Sequence, residues 1–152
     1  MYASKLAMDF LPNIHLIGVF IIALTDVYGK KALYPIYVYV LLEFLLNGVN
    51  LWAINYLYVW LILAAGAWLL REMTSPLGWA LLSGVFGLLF GALCAPVYLV
   101  VGGPAYALSW WISGIPFDLL HCAGNFVITL VLFVPLRRLT KQLYQKTVDN
   151  KI

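Results

Sequence analysis

The amino-acid sequence predicts an all-α integral membrane protein, a bundle of six helices, and three observations carry that expectation. Of the 152 residues, 64% are hydrophobic and only 10% charged, where a soluble domain is about one-quarter charged; the mean hydropathy is +0.96. Turn residues cut the chain into successive apolar stretches. The basic residues gather in alternate connections between those stretches. The length suits one compact bundle over residues 1–136, with residues 137–152 as a basic cytoplasmic tail and no separate soluble domain.

The elements follow from the punctuation. A first segment, Tyr2–Leu11, ends at Pro12-Asn13, and a second, His15–Tyr28, at Gly29-Lys30-Lys31. The third, Ala32–Gly48, closes at Asn47-Gly48-Val49-Asn50, and the fourth, Leu51–Leu70, at Arg71-Glu72 and Ser75-Pro76. The fifth, Leu77–Val101, stops at Gly102-Gly103-Pro104, and the sixth, Ala105–Pro135, stops before Arg137-Arg138. Ten residues at about 1.5 Å each cover only half of a hydrocarbon core of about 30 Å, so the short first segment suggests a start upstream of Met1. It lacks the long apolar core and small-residue site of a signal peptide. Gly87 and Gly91 in the fifth segment, and Ala3 and Ala7 in the first, have the spacing that lets helix backbones approach closely.

With six spans and both termini in the cytoplasm, all nine Lys and Arg residues, from Lys5 to Lys151, fall on one side. A five-span alternative fuses residues 6–28 into one helix kinked at Pro12 and separates Lys5 from the other cations. The net charge of +3 is a topology signal of this kind and not a nucleic-acid footprint. Cys94 and Cys122 lie in apolar runs and read as small buried side chains.

The chemistry concentrates in the last apolar stretch. Asp118, His121 and Asn125 fall within about a 60° arc of one helical face. Ionisable groups at membrane depth usually face a cavity or the bundle interior and mark a substrate or ion path. Glu43, roughly 7 Å below the outer end of the third helix, shares the outer half of the bilayer with Asp118 and His121. Asn47 lies above them, and Asp26 reads as a helix-end charge near Lys30. Trp52, Tyr56 and Trp60 form a stripe on the fourth helix, and Trp110-Trp111 precede the polar face of the sixth. Trp52 and Trp110 suit an interfacial aromatic belt, whereas the deeper Tyr56 and Trp60 suit the wall of a ligand pocket. The candidate substrate-binding set is Glu43, Asn47, Tyr56, Trp60, Trp111, Asp118, His121 and Asn125. Asp118 and His121 could instead pair with each other, and Asn125 could be interhelical glue. His15 and His121 sit on different segments without paired ligand spacing, so no metal site is expected, and no cofactor is implied.

These residues resemble a known family. Leu11-Pro12-Asn13, Tyr28-Gly29-Lys30-Lys31 with Tyr34-Pro35, Leu42-Glu43, Asn47-Gly48, Leu51-Trp52 and the Tyr56–Trp60 run are similar in order to the substrate-binding S components of energy-coupling-factor (ECF) transporters. The most specific part is Trp111-Ile112-Ser113-Gly114-Ile115-Pro116-Phe117-Asp118-Leu119-Leu120-His121, followed by Gly124-Asn125-Phe126. The resemblance implies a six-helix subunit of a prokaryotic ABC-type importer that captures a vitamin-like small molecule at the outer face. It further implies docking on a transmembrane coupling subunit powered by two cytosolic ATPases, through a small-residue surface matched here by Ala3 and Ala7. Metal-specific relatives carry a histidine after the initiator Met, where this chain has Tyr2.

Rival classes make different demands. A stand-alone proton-coupled carrier would use Asp118 and His121 as its relay. An enzyme is not expected, because Ser113 is the only serine near His121 and no nucleophile–base arrangement surrounds it. The chain has no glycine-rich ATP loop, so ATP-derived work would come from a partner.

Overall fold

Helix signals in the sequence become helices in the computed structural model, which describes residues 1–7 and 15–149. Leu11, Pro12 and Asn13 lie outside the described residues. The chain is all-α. Helix α1 covers Tyr2–Ala7, α2 Ile17–Tyr28, α3 Leu33–Asn47, α4 Leu51–Leu69, α5 Pro76–Leu88 and α6 Phe90–Asp149, with a short 3₁₀ turn over Gly29–Ala32. Caps set two of the starts. The Asn50 side chain accepts from the Ala53 N–H at 2.9 Å. Ser75 accepts from the Gly78 N–H at 3.3 Å, with Pro76 opening the helix.

Helix α6 is two arms. Gly103 breaks it with φ 79° and ψ −178°, a left-handed φ that L side chains rarely adopt and glycine takes freely. The chain then folds back, so that Gly84 faces Phe126, Gly87 faces His121, and Gly91 faces Asp118. Near the turn, Tyr98 stacks on Trp110 at 3.9 Å between ring centroids. The hairpin is tight. A Cβ on Gly87 would lie 2.7 Å from the His121 carbonyl oxygen, so only glycine permits this approach.

The second arm is polar inside and apolar outside. Asp118, His121, Asn125 and Thr129 are buried, whereas Leu119, Leu120, Val127 and Val131 are more than half exposed. A helix packed in a water-soluble core shows the reverse pattern.

Several expectations need correction. Among the described residues two helices are long and apolar enough to cross a membrane, Leu51–Leu69 and the bent Pro76–Asp149. Helices α2 and α3, with 12 and 15 residues, reach only about 18 and 22 Å, and α1 has 6 residues. The described residues therefore do not form six full-length spans. Pro135 does not end the last helix, which runs on to Asp149. Contacts beyond the proline hold it on α2: Arg137 grips Asp26, and Tyr144 packs edge-on against Tyr28 at 5.2 Å. Residues 137–149 are thus a helical extension.

The charges also sort differently. Lys30 and Arg71 both lie over the Trp68 ring, at 5.2 and 5.5 Å, so the Gly29–Ala32 turn and the end of α4 share one basic end with Arg137. Asp26 pairs with Arg137 through bonds of 2.6 and 3.2 Å, not with Lys30, because the guanidinium fork matches a carboxylate. Lys5 is not at this end. Its ammonium sits on Glu43 at 2.7 and 2.8 Å, about 18 Å along α3 from Lys31.

Candidate functional site

The pocket begins at the junction of α5 and α6. The Leu89 N–H keeps its helical bond to the Val85 carbonyl at 3.0 Å, whereas the Gly91 N–H donates to Asp118 Oδ1 at 3.0 Å. Asp118 therefore caps the start of α6 from the opposite arm and does not pair with His121. Its second oxygen, Oδ2, is buried without a hydrogen-bond partner among the described residues. His121 packs edge-on against Phe90 at 4.8 Å and His15 at 5.0 Å, and its Nε2 is likewise unpartnered.

Around these two side chains opens a cavity of about 630 Å³, large enough for a drug-sized ligand. Phe90, Gly91, Asp118 and His121 form its polar end, and Trp52 and Trp110 its aromatic walls. Tyr106, Ser109, Ser113, Gly114 and Phe117 complete it along the arm after Gly103. The side chains of Trp52 and Trp110 face each other with centroids 6.2 Å apart.

Of the eight candidate substrate-binding residues, Asp118 and His121 line this cavity and the other six do not. Tyr56 accepts a bond from the Trp52 indole N–H at 2.8 Å and stacks on Tyr39. Trp60 is 1% exposed among Tyr39, Tyr56, Phe86 and Phe90. Both support the walls from behind. Asn125 donates to the Ser83 carbonyl at 3.4 Å, with Gly18 of α2 alongside, which makes it the glue between α2, α5 and α6. Trp111 is exposed, and its neighbour Trp110 takes the place in the cavity.

Glu43 and Asn47 belong to a second polar cluster. Asn47 donates to Glu43 Oε2 at 2.9 Å and to the Tyr2 hydroxyl at 3.4 Å, on the face of α3 covered by Lys5. Ala3 is exposed on α1. Cys94 and Cys122 are free thiols. His15 and His121 are neighbours after all, yet among the described residues no three His, Cys, Asp or Glu side chains converge as a metal centre requires.

Trp52 and Trp110 suited a lipid belt and line the pocket. The spacing Tyr106, Trp110, Gly114, Phe117, His121 at steps of three and four marks their shared face. Phe90 carried no such signal, whereas Gly91, marked in the sequence as a close-approach glycine, meets Asp118 there. Compared with known protein families, curated proteins and solved structures, the chain matches none.

Proposed function

We propose that this chain is a membrane-embedded, non-enzymatic substrate-binding subunit that captures a vitamin-like small molecule, as the S components of ECF importers do. One observation carries the reading: a helix apolar toward its surroundings turns a buried carboxylate and imidazole into an aromatic-walled cavity. Lipid accounts for the exposed leucines and valines, and a ligand accounts for the orphaned Asp118 Oδ2 and His121 Nε2. The basic end, with the C-terminal helical extension, faces the cytoplasm of a prokaryotic cell under the positive-inside rule. The cavity then opens toward the outside. Lys5 beside Glu43 favours α1 at the outer end over six spans with a cytoplasmic N-terminus. A coupling subunit and two ATPases would supply the energy.

The test is a thermal-shift screen of the purified protein against vitamins and their precursors, with co-purification from cells expressing the genes beside its own. A stabilising ligand and a captured coupling subunit are expected. Reconstituted protein that accumulates that ligand on a proton gradient, with no ATPase present, would replace this reading with the stand-alone carrier.

A further inference from the structure

The Glu43 cluster is closed by a residue from far away in sequence. Glu43 is 3% exposed and is held by Lys5 and Asn47 beside an aromatic group. Tyr39 stacks on Tyr56 at 6.2 Å, and Trp60 lies 5.3 Å from Tyr56 and 6.1 Å from His15. Two fully buried polar atoms in this group, Tyr39 Oη beside the Glu43 carboxylate and Trp60 Nε1, have no partner in hydrogen-bond geometry among the described residues. Lys5 enters on the six-residue helix α1 and is the only Lys or Arg side chain at this end among the described residues, against the carboxylates of Glu43 and Asp118.

An ion pair whose carboxylate is buried and whose ammonium is 28% exposed is weak support for a fold, since desolvation of the carboxylate offsets much of the attraction. Unpartnered buried donors and acceptors add a further penalty. A cluster that holds one carboxylate against one ammonium, and leaves a phenol and an indole N–H unused beside them, is poor scaffolding. It suits a ligand with a positive charge and a planar polar body.

We propose that the Lys5 ammonium occupies the seat of a cationic substrate group: Glu43 and Asn47, walled by Tyr39 and Tyr56, form a subsite for an ammonium or charged nitrogen heterocycle, and α1 is its tethered competitor. The proposal rests on the reading that this end of the bundle captures a small molecule. Trp60 and Phe90, packed at 5.7 Å, separate this subsite from the Asp118 cavity.

The probes are N-methylpyridinium and toluene, a planar cation and its neutral isostere. In wild-type protein in lipid nanodiscs, acetylation of Lys5 by acetic anhydride is read by mass spectrometry against Lys30. Saturating N-methylpyridinium is expected to raise Lys5 labelling roughly threefold or more, as displacement of a masked amine requires, with Lys30 unchanged and toluene inert. Lys5→Met is expected to bind N-methylpyridinium about tenfold tighter than wild type by tryptophan fluorescence, and Lys5→Met with Glu43→Gln to lose that gain. Unchanged Lys5 labelling in wild type overturns the proposal, whether or not Lys5→Met folds, and so does a gain shared equally by toluene. A ligand from the vitamin screen that still binds and depends on Asp118 would, in that event, leave the proposed function standing without this subsite.

Discussion

The two ends of the bundle treat buried charge in opposite ways. At the basic end Asp26 is buried and fully met by the Arg137 fork, and Lys30 and Arg71 share the Trp68 face. At the other end Asp118 has one oxygen committed to Gly91 and one left over, and His121 presents an unpartnered nitrogen. Satisfied charge locks helices together. Charge left half-satisfied beside a cavity is held ready for something that is not part of the chain, because each idle buried group costs about 1–3 kcal/mol.

The comparison breaks first at the satisfied end. Arg137→Met leaves the Asp26 carboxylate buried and alone, and should cost about 3–5 kcal/mol of stability. Melting of the protein in detergent measures it, and adding Asp26→Asn should restore most of the loss by removing the stranded charge. Ligand binding to the surviving fold should stay near wild type. Wild-type melting of Arg137→Met would show that this end carries no lock.

Next comes the unsatisfied end, where binding should suffer and stability should not. Asp118→Asn keeps an oxygen for the Gly91 N–H but loses the charge facing the cavity, and His121→Ala removes the idle nitrogen. Each should weaken binding of the identified ligand by about 1.5–3 kcal/mol, roughly ten- to a hundredfold. Calorimetric titration with parallel melting curves separates the two effects. A fall in melting temperature with unchanged affinity would make both residues scaffolding, like Asp26.

Between the ends lies the hairpin contact. Gly87→Ala places a Cβ against the His121 carbonyl, 2.7 Å away by construction, and neither backbone can yield without parting the arms. Overpacking of this kind costs about 1–3 kcal/mol. Because His121 is the residue displaced, affinity should fall together with stability, which distinguishes this variant from both groups above. Gly66→Ala, whose added Cβ would meet only the Leu82 side chain at 3.4 Å, is the control expected to do little.

What could be read from the sequence was local. Gly48, Ser75-Pro76 and Gly103 mark real helix ends, because their backbone and capping demands are written in the residues themselves. The buried face of Asp118, His121 and Asn125 follows from spacing alone. Partnerships across long separations do not. Lys5 and Glu43 are 38 positions apart and Asp26 and Arg137 are 111 apart, and counting charges by loop assigned Lys5 to the wrong end. Pro135 was misread because a missing N–H is a local fault, whereas the packing of Arg137 and Tyr144 on α2 that carries the helix past it is not local. Asn125 was ambiguous for the same reason, since an amide cannot tell a ligand from the Ser83 carbonyl until α5 is in place.

The smallest effect sharpens the comparison at a single turn of helix. Trp110 and Trp111 are adjacent, so they point about 100° apart around the arm. Counting seven residues back from Asp118 favours Trp111, yet the cavity lies toward the side of Gly114 and Phe117, and that rotation brings Trp110 into it. Trp110 is held there by its stack on Tyr98 and by Trp52 across the opening. Its replacement by leucine removes aromatic contacts worth about 0.5–1.5 kcal/mol beyond area alone, and should weaken ligand binding several-fold. Trp111→Leu, on the exposed side, should change affinity and stability by no more than about 0.5 kcal/mol, as outward substitutions usually do. Fluorescence titration of the two variants decides between the faces. A larger binding loss for Trp111 would mean that the ligand enters from the surrounding lipid side of the arm and not through the opening between Trp52 and Trp110.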